Sequence, residues 1–199
     1  PSLFCHSAYT CRPETLLAAK EAASAAGALF QIHATETRGE GATVIDPRAA
    51  SPVGHLDRLG LLDRRTLLVH CVWVDEADIA AIRAAGAGVA HCPESNMKLG
   101  SGVAPLPALL AAGIPVGLGT DGCASNSDLD LFREMGAAAR LHKVVSGDPT
   151  AVSARQVLAM ATIGGARALG LAGEIGSLEP GKAADLVVLD TNRPSLTPL

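Results

Sequence analysis

Five short apolar runs, each leading into a side chain that can bind a metal or carry a proton, constrain the fold of this chain more than any other feature. Residues 2–5 end at His6, 28–32 at His33, 66–69 at His70 and 88–90 at His91; residues 114–118 run into Gly119-Thr-Asp-Gly122, with Asp121 between two glycines. The runs are apolar without alternation, as strands buried on both faces are. Between them lie stretches of helical length, which parallel strands need for their crossovers. The expected class is therefore α/β with a parallel sheet. An open doubly wound sheet and a closed barrel both fit the pattern. No glycine-rich phosphate fingerprint follows any strand, which weighs against a dinucleotide-binding version.

Helix punctuation supports the same alternation. Pro13 and Glu14 open an Ala-rich helix that Gly27 ends, and Asp75 caps a helix over 76–85 that Gly86 stops. Further helices are expected over 53–59, 106–112 and 129–145. Ser153 and Gln156 form a capping box for one over 154–161, with 167–171 as an extension. Residues 34–41 and 92–102 read as loops, the second containing Pro93, Ser95 and Asn96. A turn-rich segment, 176–185, precedes a final strand over 186–189 that belongs to no βα unit and fits the start of a second small domain.

The net charge of −4 gives no reason to expect nucleic acid or an anionic membrane as partner. No apolar run reaches the roughly 18–20 residues of a membrane span. Five cysteines, an odd number without a CxxC pair, read as reduced, buried thiols of a cytoplasmic protein. The chain opens on Pro1 directly into a strand, and an internal piece of a longer protein is expected.

A single histidine at a strand end is more often structural than functional, and Thr-Asp-Gly is also an ordinary turn. Four of the six histidines at strand ends, joined by an aspartate, are a different matter. The C-terminal ends of parallel strands converge on one site in barrels and open sheets alike. Imidazole and carboxylate together suit a divalent metal such as Zn²⁺. Glu36, three residues past His33, lies in a loop that can fold back over the site. A metal acidifies bound water, and a nearby carboxylate can carry its proton. The plainer reading of Glu36 is a solvated loop residue. His55 and His142 fall on helices and read as surface or core residues. Arg133, Glu134, Arg140 and Lys143 read as a solvated helix face.

His6-Ser-Ala-Tyr-Thr, Gln31-Ile-His-Ala-Thr-Glu36, Leu68-Val-His-Cys71, Val89-Ala-His-Cys-Pro-Glu-Ser-Asn96 and Gly119-Thr-Asp-Gly122 resemble, in order and over almost the whole chain, the metal-dependent amidohydrolase superfamily. The branch most resembled is the methylthioadenosine/S-adenosylhomocysteine deaminases and the related triazine hydrolases. Met97-Lys-Leu-Gly-Ser-Gly-Val-Ala-Pro105 and Gly176-Ser-Leu-Glu-Pro-Gly-Lys182 fit that branch as well. The resemblance implies the C-terminal part of a (β/α)₈ TIM barrel, about strands 4 to 8, over residues 1–172. Residues 173–199 would return into a small β-sandwich. It implies a hydrolase of carbon–nitrogen bonds other than peptide bonds, a cyclic amidine deaminase acting on a small aminopurine nucleoside, with this piece inactive alone.

By motif, the resemblance makes His33 and Asp121 metal ligands for one Zn²⁺ per subunit, with Fe²⁺ as the alternative. Glu36 would shuttle protons and touch the substrate base. Asp121 would also act as base and touch substrate. His70 would hydrogen-bond the attacking water or the developing oxyanion, or serve as a ligand, as in some branches. His6 would bind substrate, and His91 is given no role. The family takes two more ligands from a His-x-His motif on its first barrel strand, and no histidine here has that spacing. The alternatives are a guanine or cytosine deaminase, a triazine chlorohydrolase, or a metal-free, non-catalytic relative. No nucleic acid or membrane partner is implied, and the full-length enzyme is left open to homo-oligomerisation.

Overall fold

The computed structural model describes residues 1–43 and 50–193. Five strands, β1 (Ser2–Ser7), β2 (Leu29–Ala34), β3 (Thr66–His70), β4 (Gly88–His91) and β5 (Val116–Leu118), form one parallel sheet in sequential order. A doubly wound sheet reverses its strand order at a switch point. This sheet has no reversal, and its order is that of an arc of a barrel.

The register explains the alternation of environments. Cys5, Ile32, Leu68, Val89 and Val116 lie side by side across all five strands, and all are buried. That row belongs to the same core as Leu16 of α1 (Pro13–Ala25), Val53 and Leu56, Ile82, and Leu106 and Leu109 on the later helices. The adjacent row, His33, Val69, Ala90 and Gly117, faces a cavity instead.

Between β2 and β3 lie α2 (Glu40–Thr43), which begins at the end of the expected loop 34–41, and α3 (Pro52–Arg58), where Ser51 accepts from the Gly54 amide. The reading of α4 (Glu76–Ala85) holds at both ends: Asp75 and Asp78 form a reciprocal capping box, and Gly86 takes the left-handed cap at φ 71°. The 92–102 loop is corrected, because it contains α5 (Pro93–Lys98). Pro93 at the first helical position, Glu94 in the first turn and Lys98 in the last are ordinary helix signals. They were hidden in a segment of only six helical residues.

α6 (Leu106–Ala111) leads to β5, and α7 (Cys123–Asn126) and α8 (Leu131–Ser146) follow it. The capping box at Ser153 and Gln156 opens α9 (Ala154–Ala159), which continues through a π-turn (Met160–Gly164) into α10 (Gly165–Ala168).

Two other readings are revised. Residues 186–189 form no strand: no described segment pairs with them, and Val187 and Val188 are 77% and 85% exposed. Positions 194–199 of the expected return segment lie outside the described residues. Glu134 is fully buried rather than solvated, while Arg133 of the same face is exposed. The cysteines are all unpaired, as expected, but Cys123 is exposed. Among the described residues no helix is long and apolar enough to cross a membrane.

α10 packs so closely on β4 and β5 that side chains are excluded. A Cβ on Gly88 would lie 2.8 Å from Ala168 Cα, and one on Gly117 would lie 2.8 Å from Gly165 Cα. Neither contact has a flexible atom to yield. Gly88→Ala is therefore expected to destabilise the full-length protein by about 1–3 kcal/mol, the usual scale of overpacking. The shift in urea midpoint measures it, and an unchanged midpoint would contradict this packing.

Candidate active site

Each candidate side chain stands where a strand stops. His6, His33 and His70 are on the last residues of β1, β2 and β3, and Asp121 follows β5 by three residues. The backbone turns sharply at these points. Thr35, His70, Cys71 and Asp121 have φ of 52°, 75°, 48° and 60°, the left-handed region that non-glycine residues rarely enter. Such residues cost on the order of 1–3 kcal/mol each and cluster where function fixes direction.

The turns bring His33, His70 and Asp121 together, with one ligand-capable atom of each inside 4.8 Å of the others. Among the described residues this is the one such group. Glu36 approaches the same centre, its Oε2 3.8 Å from His70 Nε2. His6 stands beside it, with ring centroids 5.2 Å from His33. Its Nδ1 is 2.9 Å from Thr10 Oγ1 and 3.1 Å from Ser7 Oγ. His91 is elsewhere: its Nε2 faces His142 Nε2 at 3.1 Å, both rings buried. His55 is likewise a buried helix residue.

Sequence reasoning missed the residues that brace this set. α5 projects Ser95 and Asn96 at two of its members. The Ser95 hydroxyl donates to Asp121 Oδ2 at 2.8 Å, and Asn96 Oδ1 is 2.9 Å from His70 Nδ1. With that oxygen as acceptor, His70 carries its proton on Nδ1 and turns the Nε2 lone pair toward Glu36 and the set. Asn126 donates to the Thr120 carbonyl at 2.7 Å and to buried Glu134, which also accepts from the Glu94 amide at 3.2 Å. Glu134 thus ties the Asp121 turn to the start of α5. Ser101 donates to Glu36 at 3.3 Å, and its carbonyl accepts from Trp73 Nε1 at 2.7 Å. The available signal was position: Ser95 and Asn96 follow a strand end within five residues of His91.

The electrostatics suit a cation. Burial, then the neighbouring His70, holds His33 below the usual histidine range, so its ring is neutral at ordinary pH. Burial pushes the Asp121 carboxyl up, but the Ser95 hydroxyl, the Gly122 amide and the two imidazoles outweigh it and leave it below the usual carboxylate range. His33 Nδ1 is buried with no hydrogen-bond partner among the described residues. A neutral imidazole, an ionised carboxylate and an unpaired ring nitrogen are what a divalent metal requires of its donors. The residues present fit a metal.

A sequential parallel sheet thus carries two imidazoles and a carboxylate at its strand ends. The model described as "Amidohydrolase family" matches residues 3–199, and the chain belongs to that family. It is 50% identical over 193 residues to a 5-methylthioadenosine/S-adenosylhomocysteine deaminase of Moorella thermoacetica, covering 97% of this chain and 45% of the relative. The structure resembles an adenosine deaminase from Xanthomonas campestris with bound zinc, at a TM-score of 0.94 and 42% identity, over 100% of this chain and 45% of that one. It also resembles a zinc complex of atrazine chlorohydrolase from Arthrobacter aurescens, at a TM-score of 0.79 and 32% identity, over 87% and 38%. The chain thus spans 45% of the length of such curated relatives.

The Ser95 bond has a measurable consequence. An acid whose folded pKa is depressed contributes stability above its unfolded pKa and loses it as pH falls through the folded value. Ser95→Ala should raise the Asp121 pKa in metal-free protein and shrink that acid-side contribution. Carboxyl ¹³C titration checks this, and an unmoved Asp121 would contradict the assigned bond.

Proposed function

We propose that this chain is the catalytic part of a metal-dependent deaminase of aminopurine nucleosides, of the methylthioadenosine or S-adenosylhomocysteine type. The observation that carries the reading is the convergence of His33, His70, Asp121 and Glu36 on one point, in a chain half identical to deaminases. In the longer protein, residues 1–172 would supply about the fourth to eighth strands of a (β/α)₈ barrel. Residues 173–199 would return to a β-sandwich, and the exposed apolar run at 186–189 is what a neighbouring strand would cover. A cytoplasmic enzyme with a small-molecule substrate follows from the same reading.

His33 and Asp121 would hold one metal, zinc with iron as the alternative, together with histidines outside this sequence. The bound metal would supply Lewis-acid activation of water at neutral pH. Glu36 takes a proton from the attacking water and delivers it to the ring nitrogen next to the amino-bearing carbon. The reach is plausible because its carboxylate already leans over His70. Asp121, kept ionised by Ser95, accepts the second proton of the water and passes it to the departing amine. Ammonia leaves and the ring carbon becomes a carbonyl. His70 presents a lone pair as placed. From there it can hydrogen-bond the attacking water. His6, braced by Thr10 and Ser7, is placed to grip the substrate from a different strand. A triazine hydrolase is the second reading, supported by the likeness to atrazine chlorohydrolase.

In the full-length protein, His33→Ala and Asp121→Ala should each remove the metal, read by elemental analysis. Full occupancy in both would sink the ligand assignment. Glu36→Gln should keep the metal and lower turnover about 10²–10⁴-fold, the scale of general acid–base groups. The reaction is tested by ammonia release and loss of adenine absorbance with methylthioadenosine and S-adenosylhomocysteine. Turnover of a chlorotriazine, guanine or cytosine, with none of any adenosine derivative, would replace the proposal by the second reading or its relatives.

A further inference from the structure

The loop that presents Glu36 contains a second carboxylate for which the mechanism has no use. Glu40, at the start of α2, is only 4% exposed. Its Oε1 accepts from the Thr37 amide at 2.9 Å, and the Thr35 and Glu36 amides lie close enough to its carboxylate to pull its pKa down. Successive amides converging on one anion form a nest, which fixes the backbone of every residue that contributes. The other side of the turn is held as firmly. The Thr35 carbonyl accepts from the Val72 and Trp73 amides at 3.1 and 2.9 Å, and its hydroxyl donates to the Ala34 carbonyl at 2.7 Å. Thr35 itself sits at φ 52°, a conformation a β-branched residue keeps only when its surroundings impose it. Glu36 lies between these two anchorages, with its side chain turned toward His70 and Ser101.

We infer that Glu40 is the positioning residue for Glu36: its buried carboxylate gathers the amides of residues 35–37 and so sets where the Glu36 carboxylate stands. The inference rests on reading Glu36 as the proton carrier. Burial pushes the Glu40 carboxyl up, and the amides pull it back only in part. An acid whose folded pKa is raised contributes stability below its unfolded pKa, and for Glu40 that contribution is lost as the pH rises through the folded value.

The test uses the full-length, metal-loaded protein with Glu40→Gln and Glu40→Ala, each alone and combined with Glu36→Gln. Glu40→Gln should keep its metal and its fold, with KM little altered. Its kcat should fall by about ten- to a hundredfold, since a displacement near 1 Å costs that much. In the Glu36→Gln background the same change should cause no further loss, because the group being positioned is gone. Amide hydrogen exchange over residues 33–41 should speed up in both Glu40 variants, whether or not the substrate is correctly identified. Exchange at the wild-type rate in Glu40→Gln would overturn the inference. So would equal losses of kcat in both backgrounds. Failure of wild-type protein to deaminate any adenosine derivative would overturn the proposed function instead, and the exchange rates would still decide the role of Glu40.

Discussion

A parallel strand that ends at a shared centre has to turn its last side chain inward, and the chain away from it, within two or three residues. The site depends on that constraint. At β2, β3 and after β5 the turn is made by non-glycine residues in the left-handed region: Thr35, His70 with Cys71, and Asp121. Left to local preference these residues would relax to the β or α regions and scatter the side chains of the site. Sheet register alone cannot hold them, because pairing stops at those residues. Something beyond the strands has to oppose the relaxation, and the loops supply it.

The opposing contacts come from few places. α5 binds Asp121 through Ser95 and His70 through Asn96, so one short helix spans two strand ends. Glu134 of α8 holds the first turn of α5 through the Glu94 amide and the Asp121 turn through Asn126. The burial that makes Glu134 effective also pushes its carboxyl up to about 7. The β2 loop is anchored from the far side by the amides of Val72 and Trp73. The rigidity of the centre is thus a property of the loops, while the sheet supplies only their starting points.

What was legible in the sequence follows the same division. Strand ends, helix caps and the chemical type of His33, His70, Asp121 and Glu36 are written locally, as residue patterns a few positions long. The cap at Asp75 and the capping box at Ser153 are such patterns, and both formed as read. The pairings of Ser95 with Asp121 and of Asn126 with Glu134 are decided by tertiary placement, and no periodicity announces them. Glu134 looked solvated because its neighbours on α8 are charged, yet helical rotation puts it inward and Arg133 outward. The strand at 186–189 failed for a related reason. A β-branched run states a preference, and a strand also needs a neighbour to complete its hydrogen bonds.

The buried pair of His91 and His142 carries a consequence of a different kind. Burial depresses both rings, His91 to about 3 and His142 to about 4, with each ring's proximity to the other weighing further on His91. Only one proton can lie on the line between their facing Nε2 atoms, so the seam joining β4 to α8 stays uncharged across the whole physiological range. That seam therefore adds no charge of its own behind the strand ends. Its effect is felt in acid. Below the ordinary histidine pKa, each unfolding event takes up two protons that the folded seam refuses. Acid therefore acts against the attachment of α8, the helix whose Glu134 holds the Asp121 turn in place.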